Sequence, residues 1–136
     1  MPEKRLRVVI DTNIFISFLI NRDFSKLDKI IIEGKAVLLL SEELLDEILT
    51  VLNRPKFKKY FSKKDIDILI DFLTEFGLFI KVKSKVKISR DHKDDFLLSL
   101  AIDGKATHLI TGDADLLILK KVKKTTIITI QEFLAL

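Results

Sequence analysis

Asp11 stands directly after Val8-Val9-Ile10 and directly before Thr12-Asn13. Three β-branched residues in succession read as a strand buried on both faces, so the carboxylate that follows sits at the strand's carboxyl end. Asp113 holds a comparable place in Thr111-Gly112-Asp113, after His108-Leu109-Ile110, with Asp115 close behind. Asp94 opens an apolar helical run, beside Asp91 and Asp95. Glu47 lies about one and a half turns into another helix and flanks its apolar stripe, whereas Asp46 turns about 100° away. Each acid also has an ordinary reading. Asp11 or Thr12 would cap a helix, Asp94 and Asp95 would complement a helix dipole, and Asp113 and Asp115 would belong to a Gly-Asp turn.

Several carboxylates gathered without Lys, Arg or His between them repel strongly when partly buried. A divalent cation relieves that repulsion, and ligands that are all oxygen favour Mg²⁺ or Mn²⁺ over zinc. Such an ion lowers the pKa of a bound water and offsets charge on a phosphate.

The elements that must position these acids alternate along the chain. Strands are expected at Arg5 to Ile10, Ala36 to Leu40, Leu78 to Val82, His108 to Thr111 and Thr125 to Thr129. Between them, Thr12 to Ile20 reads as a short helix, and Leu27, Ile30 and Ile31 recur at helical spacing before Gly34. Ser41 caps a helix with Leu44, Leu45, Ile48, Leu49 and Leu52 on one side, ended by Asn53-Arg54-Pro55. Ser62 and Asp65 form a variant capping box ahead of a stripe of Ile66, Leu69, Ile70, Leu73 and Phe76, which stops at Gly77. Asp94 to Asp103 is helical up to Gly104, Ala114 to Leu119 is a short helix, and Gln131 to Leu136 is a last helical turn. Such alternation predicts an α/β/α sandwich with a central, mostly parallel, five-stranded sheet. Ligands of such folds bind beyond the carboxyl ends of the strands, which is where the acids collect.

The chain has 136 residues, enough for the single domain expected over 1–136. Hydrophobic residues at 48% and charged residues at 32% describe a folded rather than disordered chain. No apolar run reaches the ~18 residues of a membrane span, and no signal-peptide pattern opens the chain, so a cytoplasmic location is expected. Cysteine is absent, which excludes thiolate zinc sites, disulfides and a cysteine nucleophile. His92 and His108 read as structural or surface residues. The net charge of +4 is compatible with a polyanionic partner, and the lysines cluster at Lys56, Lys58 and Lys59, at Lys63 and Lys64, at Lys81 to Lys87 and at Lys120 to Lys124. Each cluster also reads as a solvated surface.

VVIDTNIFIS, SEELLDEILTVLNRPKF and RDHKDDFLLSLAIDGKATHLITGDADLL, in that order, resemble the PIN-domain ribonucleases, and among them the toxin group of prokaryotic toxin–antitoxin modules. The resemblance covers nearly the whole chain. It implies that Asp11, Glu47, Asp94 and Asp113 form the catalytic, metal-binding set, with Asp95 as the rival to Asp94. Asn13, Thr111, Asp115 and Asp91 would support them. It further implies Mg²⁺- or Mn²⁺-dependent cleavage of RNA, a homodimer and an antitoxin partner. Lys56, Lys58 and Lys59 are the expected contacts to the RNA backbone.

Other classes fit less well. A haloacid-dehalogenase-like phosphatase needs Asp-x-Asp, and the second position here is Asn13. A receiver-type signalling module needs an aspartate ending its third strand, where this chain has Lys81-Val82-Lys83. A DNA nuclease or an RNA-processing enzyme without toxicity would use the same four acids.

Overall fold

The computed structural model describes residues 5–21, 23, 25–31, 33, 36–87 and 94–136. Gly34, Asp91 and His92, which the sequence reading singled out, lie outside this set.

Strand β1 (Leu6–Ile10) is followed by helices α1 (Thr12–Asn21) and α2 (Ser25–Ile31), then β2 (Ala36–Leu40) and α3 (Glu42–Leu52). A 3₁₀ turn, Pro55–Phe57, leads to α4 (Lys63–Phe76) and β3 (Gly77–Phe79). The second half comprises α5 (Asp95–Asp103), β4 (His108–Ile110), α6 (Ala114–Leu117), β5 (Lys121–Val122), β6 (Thr125–Ile128) and α7 (Ile130–Leu134). The strand order is β3-β2-β1-β4-β6-β5. All neighbours are parallel except β5 and β6.

The order reverses between β1 and β4. From β1 the chain winds outward through β2 to β3, then returns through α5 to the other side of β1. Right-handed crossovers therefore put the two sets of connections on opposite faces of the sheet. Burial follows from this. Val8, Val9, Ile10, Leu38, Leu39, Leu40, Leu109 and Ile110 are wholly buried, as strands covered on both faces must be.

Local chemistry sets the helix starts. Ser41 Oγ accepts from Leu44 N at 3.1 Å, and Ser62 and Asp65 close the expected capping box at 2.9 and 3.2 Å. Thr129 and Glu132 form a second box at the head of α7.

The sheet has six strands, not five. The additional strand β5 pairs with β6 through a two-residue loop, Lys123-Lys124, in which Lys123 has φ 51°. Hairpin loops that need a positive φ usually carry Gly, Asn or Asp. Two lysines hid the turn. β3 is also shorter than the expected Leu78 to Val82. Ile80 N still donates to Leu40 O at 2.8 Å, but Leu40 ends β2, so the ladder has no partner beyond it.

Gly77, at the junction of α4 and β3, has no room for a side chain. A Cβ there would fall 2.3 Å from Leu40 Cδ1 and 2.5 Å from the Leu73 carbonyl oxygen. Gly112 has nothing within 4 Å of the same position. Gly77→Ala should therefore lower the unfolding free energy in urea by about 1–3 kcal/mol, the usual penalty of overpacking. Gly112→Ala should leave it within about 0.5 kcal/mol of wild type.

Candidate active site

The registers of the four central strands run level at their carboxyl ends. Ile10 pairs with Ile110, and Ile110 with Ile128. The β1–β2 register, continued from Val8 and Leu38, brings Ile10 level with Leu40. The next residues along this edge are therefore Ser41, Asp11, Thr111 and Thr129. Asp11 N donates to Ile110 O at 2.9 Å and Thr111 N to Ile128 O at 3.0 Å, so the ladder extends to this row. Every residue in it carries a side-chain oxygen. The position falls at the reversal of strand order, where open α/β sheets bind their ligands.

Asp11 is the centre of the row and is only 6% exposed. Thr111 Oγ1 donates to Asp11 Oδ2 at 2.7 Å, as adjacent positions on paired strands permit. The backbone N–H groups of Asn13 and Thr12 lie towards the Asp11 carboxylate and favour its charged form. Asp11 directly precedes α1, and its side chain faces the neighbouring strand through Thr111. Burial nevertheless raises its pKa above the ordinary value, and the negative charge of Asp113 raises it further, against the hydrogen bonds that lower it.

Thr111 ties Asp113 to the same point. Asp113 N donates to Thr111 Oγ1 at 3.0 Å, so one hydroxyl donates to Asp11 while accepting from the backbone of Asp113. Asp113 caps α6 through Oδ1, which accepts from Asp115 N at 2.8 Å. The turn reading of Asp113 and Asp115 therefore also holds.

Glu47 is half-buried while Asp46 is exposed, as the helical phase requires. Thr12 Oγ1 donates to Glu47 Oε2 at 2.9 Å. Residues 11 and 12 thus connect two acids that lie 36 positions apart. The role of Thr12 was missed from sequence. Its signal was a hydroxyl directly after the acid, on a helix start that must face its neighbours.

Asp94 reaches this level through the run of α5. Arg7 Nε donates to Gly104 O at 2.9 Å, which pins the end of α5 beside the start of β1. From there α5 rises about 13.5 Å over its nine residues, and β1 about 13 Å from Arg7 to Asp11. Asp94 stands at the N-cap position but makes no side-chain capping bond, and its Oδ2 is shut off from solvent. Asp95, in the first helical turn, is 7% exposed. Asn13 is exposed, and its backbone N–H favours the charged form of Asp11. His108 lies at the other end of β4, edge-on to Phe133, and burial lowers its pKa.

Among the described residues no three acidic or imidazole groups lie together closely enough to hold a metal ion. Of the four expected acids, Asp11 and Asp113 are tied through Thr111, Glu47 is held by Thr12, and Asp94 stands at the head of α5. The chemistry of the donors fits a hard divalent cation. All are oxygens, among the described residues no basic side chain offsets the charge of Asp11, and its carboxylate is penalised both by burial and by its acidic neighbour.

The raised pKa of Asp11 has a consequence for stability. Between its unfolded and folded pKa values the native state holds more protons than the unfolded chain, so stability falls as pH rises through that window. Loss of the Asp11 proton in the absence of a divalent cation therefore lowers stability. Asp11→Asn keeps an acceptor for Thr111 and should raise Tm by a few degrees at pH 7. The gain should vanish at acid pH, where wild-type Asp11 is protonated. A thermal melt series across pH reads both.

The PIN domain family model matches residues 7–115, a span that includes Asp11, Glu47, Asp94 and Asp113. The chain is 34% identical over 129 residues to the uncharacterized protein MJ1680 of Methanocaldococcus jannaschii, covering 91% of this chain and 81% of that protein. The solved structure of the PIN domain endonuclease Utp24 superposes with a TM-score of 0.54 at 21% identity, over 89% of this chain and 82% of its own. That likeness is one of fold. With the family match spanning most of the sheet and every strand-end acid, the chain belongs to the PIN-domain family.

Proposed function

We propose that this protein is an endoribonuclease that uses Mg²⁺ or Mn²⁺, and that it is the toxin of a toxin–antitoxin pair acting as a homodimer. The observation that carries the nuclease reading is the Thr111–Asp11 hydrogen bond of 2.7 Å, with Asp113 joined to the same hydroxyl. It presents two acids on one buried edge, which suits a cation and a phosphate far better than it suits either acid alone. Family membership supports nuclease chemistry. The toxin role, the antitoxin partner and the dimer follow from the resemblance of the sequence to that group.

In this reading Asp11, Asp94 and Asp113 would hold the cation and Glu47 would complete the set. The bound ion would supply a more acidic water and offset charge on the scissile phosphate. Thr111 fixes the rotamer of Asp11. The N–H groups of Asn13 and Thr12 favour its ionised form. Glu47, steered by Thr12, orients the attacking water. In-line attack at phosphorus leaves a 5′-phosphate and a 3′-hydroxyl, and no histidine is needed. Asp115 supports Asp113 through the α6 cap, and Asp91 is a further supporting acid. Lys56, Lys58 and Lys59 are proposed to contact the RNA backbone. Lys56 and Lys59 lie over the rings of Phe57 and Tyr60 at 5.0 and 5.2 Å, at the end of α3 remote from Ser41.

Cleavage of a mixed RNA pool, scored by length and end chemistry, tests the proposal. Wild type should cut only with Mg²⁺ or Mn²⁺ and leave 5′-phosphates, and Asp11→Asn should fall to background. Thr111→Val, which keeps the shape and removes the hydroxyl, should lose about 10- to 100-fold, as loss of a ligand-orienting partner does. Full activity of Asp11→Asn, or cleavage in EDTA, would overturn the site. Cleavage of DNA with RNA intact would move the substrate to the other nucleic acid.

A further inference from the structure

From Phe79 to Lys87 the chain alternates without a break. Phe79, Lys81, Lys83, Lys85 and Lys87 are exposed, and Ile80, Val82, Ser84 and Val86 are half-buried. Beyond β3 this stretch is neither helix nor strand. A period of two is what an extended backbone produces, with alternate side chains about 6.6 Å apart.

The inner row is anchored along α5. Ile80, Val82 and Val86 pack against the core. Lys83 N and Ser84 N donate to Asp103 Oδ2 at 2.6 and 2.8 Å, and Ser84 Oγ donates to Asp103 Oδ1. Val86 N donates to the buried Ser99 Oγ at 3.1 Å. As the segment advances from residue 83 to 86, its anchors move from Asp103 to Ser99, one turn closer to Asp94. The strap therefore climbs α5 towards the acidic edge.

The anchors account for the inner row alone. On the outer row, Lys83 offsets the charge of Asp103, while Lys81, Lys85 and Lys87 stand exposed beside it with like charge. Lysines do guard exposed sheet edges. These follow the strand rather than occupy it, and the edge strand itself carries exposed Leu78 and Phe79. Their spacing is of the order of that between successive phosphates of an extended single strand. Phe79, 48% exposed, heads the row with an aromatic face of the kind on which bases stack.

We propose that Phe79, Lys81, Lys83, Lys85 and Lys87 form a track that binds single-stranded RNA by its backbone and leads it along α5 to the acids. The proposal rests on the nuclease reading and gives that site its substrate form, an extended single strand.

Anisotropy of a labelled single-stranded RNA 20-mer, with divalent metal chelated, tests it across 50 to 200 mM salt. Replacing Lys81, Lys83, Lys85 and Lys87 together by Gln should weaken binding at least about tenfold. It should also reduce the slope of log K against log salt by about 3, at about 0.7 per phosphate contact on a single strand. Phe79→Ala should weaken binding about tenfold with the slope unchanged, since stacking releases no counterions. Gln at Lys120, Lys121, Lys123 and Lys124 removes equal charge and should leave the slope as in wild type. Melting temperatures of all variants should match.

Wild-type binding and slope in the Lys81 to Lys87 variant would overturn the track, as would an equal loss in the control. In those cases metal-dependent cleavage by wild type would leave the nuclease reading standing. A wild type that neither binds nor cuts RNA overturns both.

Discussion

One hydrogen bond organises the chemistry of this protein. Thr111 Oγ1 donates to Asp11 Oδ2 across β4 and β1, and the same oxygen accepts from the backbone of Asp113. It exists because the parallel register makes residues 11 and 111 neighbours on the first rung beyond the buried strands. A slip of one residue would turn Asp11 into the apolar interior or into the next helix. The surrounding fold therefore serves register first. The wholly buried residues of β1, β2 and β4 hold it, and the caps at Ser41, Asp113 and Thr129 start three of the helices from the same edge.

That edge combines two requirements that usually conflict. Asp11 is buried, which favours its neutral form, yet hydrogen bonds from Thr111, Asn13 and Thr12 favour its ionised form. Asp113 adds like charge close by. Among the described residues no basic group offsets this. A hard cation would, and the same cation would prepare a water for attack on phosphate. The helix-capping duty of Asp113 does not compete with this role. It fixes the backbone at the point from which that carboxylate projects.

Much of this was legible in the sequence. Apolar triplets ended by Asp11 and by Thr111-Gly112-Asp113 marked the strand ends, and the phase of α3 set Glu47 apart from Asp46. The alternation of elements gave the layered parallel sheet. What escaped were features that depend on pairing rather than on pattern. β5 exists through a hairpin whose positive φ falls on Lys123, a residue that announces no turn. The end of β3 is set by the end of β2, which local sequence cannot express. Thr12 gained its role from Glu47, 35 residues away. The lysines at 81 to 87 are exposed as expected, and the half-buried residues between them make the lysines one face of an anchored strap. Of the four expected acids, Asp11 and Asp113 share the hydroxyl of Thr111 and Glu47 accepts from Thr12, links that sequence pattern does not express.

The claim on which the account turns is that these acids close on a divalent cation. Mn²⁺ binding followed by electron paramagnetic resonance, in wild type and in Asp11→Asn, measures it without reference to any substrate. Wild type should bind Mn²⁺ saturably and in competition with Mg²⁺, and the variant should lose that binding. Equal binding by both proteins, or none by wild type at millimolar Mn²⁺, would contradict it.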